Sequence, residues 1–307
     1  MINLKSSTSL GIAQVLSGSA LISLVGIFIK IMVVDYGQPI LVVTFWRNLF
    51  VCIMLMAGLK IFKPKLLRFE RENLGLLSFY GAVLTGLNGI WGWSVYFNGA
   101  GVSTVLVYIS VPLTVMAQWG LGGDRPTLRI VPSIVFCLTG CAMVCGLHGF
   151  SDFTLTPMGM FTGVLSGVFY SAYGLFGREC AQRNIHPLCV LMHVFGIAAV
   201  YMLVMNLLAH GTIPGAAPEP ADIFMPGVDW KGWACILTLA IGPSMTGWSL
   251  INSSLTHLSP SVVNVLLTTE PMMTALVAIP VLGEYMTVEQ WAGCFLIVFG
   301  VIVLKKR

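Results

Sequence analysis

Charged side chains are scarce in this chain. Asp, Glu, Lys and Arg together make up 9% of its 307 residues, whereas a typical soluble domain carries about 25%. Hydrophobic residues reach 57%, and the mean hydropathy is +0.89. A chain this poor in charge is not an ordinary water-soluble domain. We expect it to lie in a lipid bilayer, with lipid as its surroundings and without a nucleic-acid partner.

Several sequence motifs of enzymes are also missing. The chain has no nucleotide-binding P-loop, which argues against ATP coupling within it, and it has neither a G-x-S-x-G elbow nor an H-E-x-x-H motif. HGFSD at 148–152 places His148 and Asp152 four residues apart, but in an expected external loop where polar residues are ordinary. We therefore expect no catalytic residue, no enzymatic activity and no cofactor. An intramembrane enzyme is the alternative from a different class.

The eight cysteines fall mostly inside apolar runs, where cysteine behaves as a small apolar residue. Cys137, Cys141 and Cys145 recur every fourth residue and therefore share one helix face. This face has two interpretations, a soft-metal site or close helix packing beside Gly140 and Gly146. We expect packing, and no metal site.

Long apolar runs follow one another along the whole chain, and runs of about 18 residues or more can cross the hydrocarbon core as helices. The first run lacks a small-residue cleavage motif, so we expect an uncleaved helix. Short joints leave no room for a soluble domain. The sequence thus predicts an all-α integral membrane protein with ten transmembrane helices, near 11–33, 40–62, 74–97, 101–121, 129–147, 157–177, 188–209, 232–255, 261–283 and 287–304.

Basic residues gather on alternate loops. Thirteen of the sixteen Lys and Arg lie on one side if both termini are cytoplasmic. The Pro- and Gly-rich segment 210–231 is then an external surface loop. We expect a multi-pass protein of the cell membrane, in a bacterium the inner membrane. The thirteen basic residues are Lys5, Lys60, Lys63, Lys65, Arg68, Arg71, Arg125, Arg129, Arg178, Arg183, Lys305, Lys306 and Arg307.

The two halves of the chain resemble each other. GWS at 92–94 recurs at 247–249, SLVGIFIK at 23–30 is echoed by SAYGLFGR at 171–178, and Pro112 corresponds to Pro271. Transporters are often built from such duplicated halves. Each half holds five predicted spans, an odd number, so the second half enters the membrane from the opposite side. We expect two inverted five-helix repeats, at 1–147 and 157–307.

The stretch INSSLTHLSPSVVNVLLTTEPMMTALVAIPVLGEYMT at 251–287 and FWRNLF at 45–50 resemble the EamA-type branch of the drug/metabolite transporter superfamily. The resemblance implies ten helices in two inverted repeats, alternating access, and a central cavity lined by spans 1, 3, 4, 6, 8 and 9. The first repeat departs from the pattern. Val111 stands where Glu270 would map, and Phe195 stands where Arg47 would map, with His193 two residues earlier.

Glu270 and Pro271 lie inside an apolar run. Proline has no amide hydrogen, so the carbonyl of Leu267 loses its helical donor, and a kink is expected there. A charge at a helix centre costs about 2.5–3.5 kcal/mol, which favours a functional role for Glu270. The alternatives are a fixed salt bridge with Arg47 or a protonated, hydrogen-bonded acid.

Pro112 is expected to free the carbonyl of Tyr108 in the same way that Pro271 frees that of Leu267. We interpret the two prolines as hinges of the spans that contain them. Arg47 lies nearer the outer end of its helix and could instead extend its side chain to the interface.

Polar and aromatic side chains at helical spacing complete the candidate substrate site. Interhelical hydrogen bonding and aromatic packing are the alternative explanation for each of them. As a set they suggest a cavity with one acid, suited to a small zwitterion or an organic cation. Besides Glu270 and Arg47, the candidates are Gln14, Ser17, Asn88, Trp93, Tyr108, Ser166, Tyr170, Tyr173, Trp248 and Asn252.

The resulting hypothesis is a secondary or facilitative carrier of small organic solutes that exports amino acids or related metabolites. A multidrug or organic-cation efflux carrier is the alternative, and a scaffolding membrane protein would leave Glu270 unexplained. The partners expected are a small-molecule substrate and lipid, and proton coupling stays open.

Overall fold

The computed structural model describes residues 4–67, 71–122, 128, 130–146, 156–209, 212–282 and 286–305. Every regular element within those ranges is helical, as the composition predicts. π-helical turns at Ile31–Asp35 and Ala240–Gly247 continue α2 and α9, which are defined next. The α-helices are α1 (Leu4–Ile22), α2 (Val25–Lys30), α3 (Ile40–Phe62), α4 (Leu74–Val107), α5 (Ser110–Gly120), α6 (Ile130–Val144), α7 (Pro157–Gln182), α8 (Pro187–Ala209), α9 (Trp230–Leu239), α10 (Trp248–Ser254), α11 (Pro260–Leu267), α12 (Glu270–Leu282) and α13 (Val288–Lys305).

Seven helical stretches in the described part of the chain are long and apolar enough to cross a bilayer. Two shorter apolar helices, α6 and α13, accompany them. The predicted span at 261–283 is occupied by α11 and α12, which the turn at Thr268 and Thr269 separates. Length and composition thus indicate a multi-pass membrane protein. The seven stretches are Ser7–Asp35, Ile40–Phe62, Leu74–Asn98, Gly101–Gly120, Pro157–Gln182, Pro187–Leu208 and Trp230–Ser254.

The chain reverses direction inside α4, although its backbone is helical throughout. Ser94 Oγ donates to Ser103 Oγ at 2.8 Å, whereas nine residues of a straight helix rise about 13.5 Å. Both serines are buried. The two segments predicted from hydropathy, 74–97 and 101–121, are therefore the two legs of a tight hairpin that bends between these serines.

Glycine allows a close contact between the backbones of α6 and α13. A Cβ on Gly140 would lie 2.6 Å from the carbonyl oxygen of Gly293, and a Cβ on Gly293 would lie 2.7 Å from that of Gly140. A Cβ on Gly300 would lie 2.6 Å from Cys137 Sγ. The face that carries Cys137 is therefore packed against the backbone of α13, where only small residues fit.

The segment 212–229 is not the simple surface loop that its proline and glycine content suggests. Trp46 Nε1 donates to the carbonyl of Ile223 at 2.7 Å, and Trp93 Nε1 donates to that of Pro214 at 2.9 Å. Ala217 is fully buried. The segment is thus a packed cap over one end of the bundle, which we call the outer end because the charge pattern predicts it outside. The opposite end is the inner end.

Candidate functional site

A cavity lies between the pieces of the broken helices. The space open to the centres of water molecules is about 120 Å³. Its walls come from α1, α2, α3, α4, α7, α10 and α12, and they lie at mid-height or towards the outer end. Six of the predicted site residues line it together: Arg47, Asn88, Tyr108, Tyr170, Trp248 and Glu270.

Glu270 is the first residue of α12, and Pro271 is the second. Proline is well tolerated in the first turn of a helix, where its missing N–H has no intrahelical partner. The chain therefore breaks at Thr268 and Thr269 rather than bending within one continuous helix, which corrects the expected kink. The break places the Glu270 carboxyl at the start of a helix beside the cavity.

The carbonyl of Leu267, which Pro271 deprives of a helical donor, accepts the hydroxyl of Tyr108 at 2.9 Å. The same hydroxyl lies 3.0 Å from Glu270 Oε2, its second hydrogen-bond partner. Carbonyl and carboxyl thus form the polar spot that the sequence predicts, and the α4 hairpin provides the donor.

Pro112 lies in the first turn of α5, beyond a second helix break. The expectation that it frees the carbonyl of Tyr108 is wrong, because that oxygen accepts the N–H of Val111 at 3.0 Å. The tighter i→i+3 turn replaces the bond that proline removes. Only one of the two proline breaks therefore offers its carbonyl to a side chain from another helix.

Side chains from three helices hold the break before α12. Tyr108 of the α4 hairpin donates to the Leu267 carbonyl, as described above. Cys141 Sγ of α6 lies 3.3 Å from the Thr268 carbonyl, and Ser19 Oγ of α1 lies 3.0 Å from Thr269 Oγ1. The backbone next to Glu270 is thus positioned from three directions, and Cys141 acts there as a hydrogen-bond donor.

Arg47 is 6% exposed and faces the same cavity. Its Nη2 reaches Asn48 Oδ1 at a long 3.4 Å, and its Nε finds no hydrogen-bond partner among the described residues. The same holds for Asn88 Nδ2. Arg47 and Glu270, both described, do not come within the 4.0 Å of an ion pair. The cavity therefore holds an acid and a cation that do not neutralise each other directly.

Aromatic rings form one wall of the cavity. Tyr170 lies edge-to-face with Tyr108, with ring centroids 6.4 Å apart, and with Trp248 at 6.3 Å. Trp91 lines the cavity, whereas the predicted site residue Trp93 is not part of its lining. Trp91 is three residues from Asn88 and shares its helix face, whereas Trp93 is five residues away and bonds the outer cap. Helical spacing from Asn88 is the signal that could have identified Trp91.

Five other candidates lie outside the cavity lining. Asn252 Nδ2 donates to the hydroxyl of Tyr173 at 2.9 Å, in a polar cluster nearer the inner end. Ser166 Oγ donates to a carbonyl of its own helix. Ser17 is exposed, and Gln14 is half-buried with Oε1 unpartnered within the described ranges.

Hydrogen bonds between α5, α7 and α11 close the inner end beneath the cavity. Asn264 Nδ2 donates to Thr114 Oγ1 at 2.6 Å, and the same Thr114 oxygen lies 2.9 Å from Ser171 Oγ. Ser261 Oγ donates to Gln118 Oε1 at 2.6 Å. We call these five residues the inner clasp. They join the inner halves of the two broken spans.

Known proteins share this sequence pattern and this fold. A model of the EamA-like transporter family matches residues 9–146 and 157–305. A relative from Synechocystis sp. (strain ATCC 27184 / PCC 6803 / Kazusa), "Uncharacterized transporter sll1319", is 24% identical over 242 residues, 77% of this chain. The chain spans 66% of that relative's length, just under two thirds.

A solved structure described as "Crystal structure of protein" has the same fold, with a TM-score of 0.76. It is 16% identical and covers 99% of this chain and 98% of its own, so the likeness concerns the fold alone. The family model, in contrast, matches nearly the whole sequence in two successive segments. The chain therefore belongs to the EamA-like transporter family.

Proposed function

We propose that the protein is a secondary or facilitative carrier that exports small zwitterionic solutes, of the class of amino acids and related metabolites, by alternating access. The observation that supports it most directly is the cavity with two opposite charges and no ion pair between them. Glu270 offers a carboxylate to a substrate ammonium, and Arg47 offers a guanidinium to a substrate carboxylate. A zwitterion supplies both partners at once.

The energetics favour an occupant of this kind. A buried charge without a partner is costly, and a charge-assisted hydrogen bond to the ligand offsets that cost. Arg47 Nε and Asn88 Nδ2, unpartnered among the described residues, belong to side chains that line the cavity, and acceptor groups of a substrate would satisfy them. The aromatic wall of Tyr170 and Trp248 provides apolar contact for a short side chain.

An organic cation is the second candidate. Tyr108, Tyr170 and Trp248 line the same cavity as Glu270, and aromatic faces attract cations. Arg47 in the same cavity would repel a substrate that carries only positive charge. The zwitterion therefore accounts for more of the site than the cation does.

The proposed architecture has ten spans in two inverted repeats, 1–147 and 157–307, with both termini cytoplasmic and the chain in the bacterial inner membrane. The two broken spans support the repeat, because each breaks a few residues before an aligned proline, Pro112 or Pro271. The inner clasp closes one end while the cavity lies towards the other, as expected for one state of an alternating-access cycle.

Transport in liposomes tests the proposal. Purified protein should exchange radiolabelled zwitterionic amino acids in counterflow, and vesicles of known orientation should show the direction. Glu270→Gln should reduce exchange of zwitterions and of cations, whereas Arg47→Gln should reduce exchange of zwitterions only. If Arg47→Gln exchanges zwitterions at the wild-type rate while cations are the better substrates, the organic-cation function replaces this one.

The same preparation tests the two prolines as hinges. Replacing both Pro112 and Pro271 with Ala restores two backbone donors, so each broken span can form a more continuous helix. We expect slower exchange with substrate affinity and melting temperature close to wild type. Unchanged exchange in the double variant would remove the hinge role.

A further inference from the structure

The hydroxyl of Tyr108 has one proton and two acceptors within reach. The carbonyl of Leu267 lies at 2.9 Å and Glu270 Oε2 at 3.0 Å. A carbonyl oxygen cannot donate, so a bond to Leu267 needs the tyrosine proton. A phenol cannot donate fully to both acceptors. Both bonds are complete only if Glu270 itself brings a proton.

We propose that Tyr108 is the positioning residue through which the protonation state of Glu270 acts on the break between α11 and α12. With a proton on Glu270, the acid donates to the tyrosine oxygen, and the tyrosine donates to Leu267. When that proton leaves to water in the cavity, the tyrosine proton turns to the carboxylate, and the Leu267 carbonyl loses its donor. The proposal rests on the carrier function proposed above.

The direction of the effect follows from hydrogen-bond strength and from the position of Leu267. Hydrogen bonds to a carboxylate are about twice as strong as hydrogen bonds between neutral groups. The Tyr108 hydroxyl therefore donates to an ionised Glu270 instead of the Leu267 carbonyl. Leu267 is the last residue of α11, the helix that carries Ser261 and Asn264 of the inner clasp. Loss of the Tyr108 bond therefore loosens one end of the helix whose other residues close the inner end.

A proton and a substrate ammonium then compete for the same carboxyl. The protonated acid retains the Tyr108–Leu267 bond and favours the clasped inner end. The ionised acid, ready for an ammonium, releases that bond and favours opening. Proton binding and the opening of the inner end are thereby linked.

Other charged or ionisable groups around Glu270 do not take over this role. Tyr170 of α7 and Cys141 and Cys145 of α6 are close enough to interact with it electrostatically, and Arg47 of α3 shares the cavity. Helix α1 contributes the uncharged hydroxyl of Ser19 at this break. Phenols and thiols ionise at higher pH than carboxyls, and guanidinium stays charged. Among these groups Glu270 is therefore the first to change its charge as the pH rises.

The distance between two spin labels measures how far the inner end opens as the pH changes, and no substrate is needed. Ketone-bearing amino acids at Trp119 and Thr256, both exposed near the inner end, accept nitroxide labels and leave the native cysteines intact. In lipid nanodiscs, the ratio of open to closed inner ends should rise about fivefold between pH 5 and pH 8, the size expected for one hydrogen bond. Tyr108→Phe should change by less than about twofold over that range.

Two more variants test whether Glu270 and Tyr108, and not another hydroxyl of the cavity, cause the pH dependence. In Glu270→Gln the amide donates to Tyr108 as the protonated acid does, so the distances should stay at their low-pH values throughout. Tyr170→Phe removes a hydroxyl from the same cavity but not the bond to Leu267, and its pH dependence should remain. Should Tyr108→Phe fail to fold, Pro271→Ala gives Leu267 a backbone donor, which makes the Tyr108 bond redundant and should also flatten the titration.

A wild-type protein without pH-dependent distances overturns the proposal. So does a Tyr108→Phe variant that titrates like wild type, or a Tyr170→Phe variant that loses the titration as well. Counterflow of zwitterions separates this test from that of function. Exchange of zwitterions without pH-dependent distances refutes only the role of Tyr108. Distances that depend on pH without exchange of any solute refute only the carrier function.

Discussion

Replacement of Thr114 by Val should open the inner end of the protein. Thr114 Oγ1 is the central atom of the inner clasp, because it bonds Asn264 of α11 at 2.6 Å and Ser171 of α7 at 2.9 Å. Valine has nearly the same shape but no hydroxyl, so both interhelical bonds are lost while the packing volume is kept. The bond of Thr114 Oγ1 to the Ser110 carbonyl at 2.7 Å is lost as well, but it lies within α5 and does not join the helices of the clasp. All three residues are buried or nearly so.

The expected size follows from the two bonds. Each intramolecular hydrogen bond contributes about 1 kcal/mol, and the stranded amide of Asn264 adds to the loss if the inner end stays closed. A total of roughly 2 kcal/mol corresponds to about a 30-fold shift of the closed-to-open equilibrium. The shift has this sign because an open inner end lets water solvate Asn264 and Ser171.

Hydrogen exchange of the α11 amides measures this equilibrium, and the spin-label pair at Trp119 and Thr256 gives a second readout. Ser133→Ala is the matched control. Ser133 is fully buried and donates to the Gly300 carbonyl at 2.7 Å, in the contact of α6 with α13 and outside the clasp. The reasoning is refuted if Thr114→Val shifts the equilibrium by less than about threefold, or if Ser133→Ala shifts it equally.

Three further predictions concern the remaining architecture. The pKa of Asp229 is held below its ordinary value, mainly by a backbone hydrogen bond from the first turn of α9. The stabilising contribution of Asp229 is therefore present above the unfolded-state pKa and is lost as the pH falls through the folded-state pKa. The melting-temperature difference between wild type and Asp229→Ala should consequently shrink on acidification. Cysteine at the exposed Pro218 should react with an impermeant thiol reagent on intact cells and cysteine at Lys65 should not, and the reverse pattern would invert the orientation. Gly140→Ala should lower the free energy of unfolding by about 1–3 kcal/mol, as overpacking does, whereas Gly58→Ala, with open space around it, should not.

Hydropathy predicts the helices well because the bilayer demands long apolar runs whatever the tertiary contacts are. The helix α3 begins and ends where the sequence predicts, and the two legs of the hairpin formed by α4 and α5 do so within one residue. The polar spot at Leu267 and Glu270 is also predictable, since proline chemistry is local. What hydropathy cannot resolve is the rotation of a helix that is apolar on every side. Trp93 was predicted instead of Trp91 because GWS at 92–94 repeats at 247–249, which matches Trp93 with Trp248.

Hydrogen bonds between residues that are far apart in the sequence cannot be predicted from the local sequence around either residue. Tyr108 and Leu267 are 159 residues apart, and nothing in either neighbourhood specifies their hydrogen bond. Pro112 shows the opposite limit, because the sequence correctly identifies the missing donor but not the i→i+3 bond that replaces it. A proline thus predicts where a helix is interrupted. Whether the freed carbonyl becomes available depends on the turn that follows.

The proposed repeats imply two closures of different chemistry. Alignment of the two prolines places Thr114 opposite Met273 and Asn264 opposite Val105. The inner end is closed by hydrogen bonds at these positions, whereas a mirror-image closure of the outer end would bring Met273 and Val105 together. Apolar closure depends mainly on contact area and tolerates small misplacement, but a buried polar closure must satisfy every donor. The two end states therefore differ in free energy although the repeats share one fold, and the occupant of the cavity must supply that difference in a working cycle.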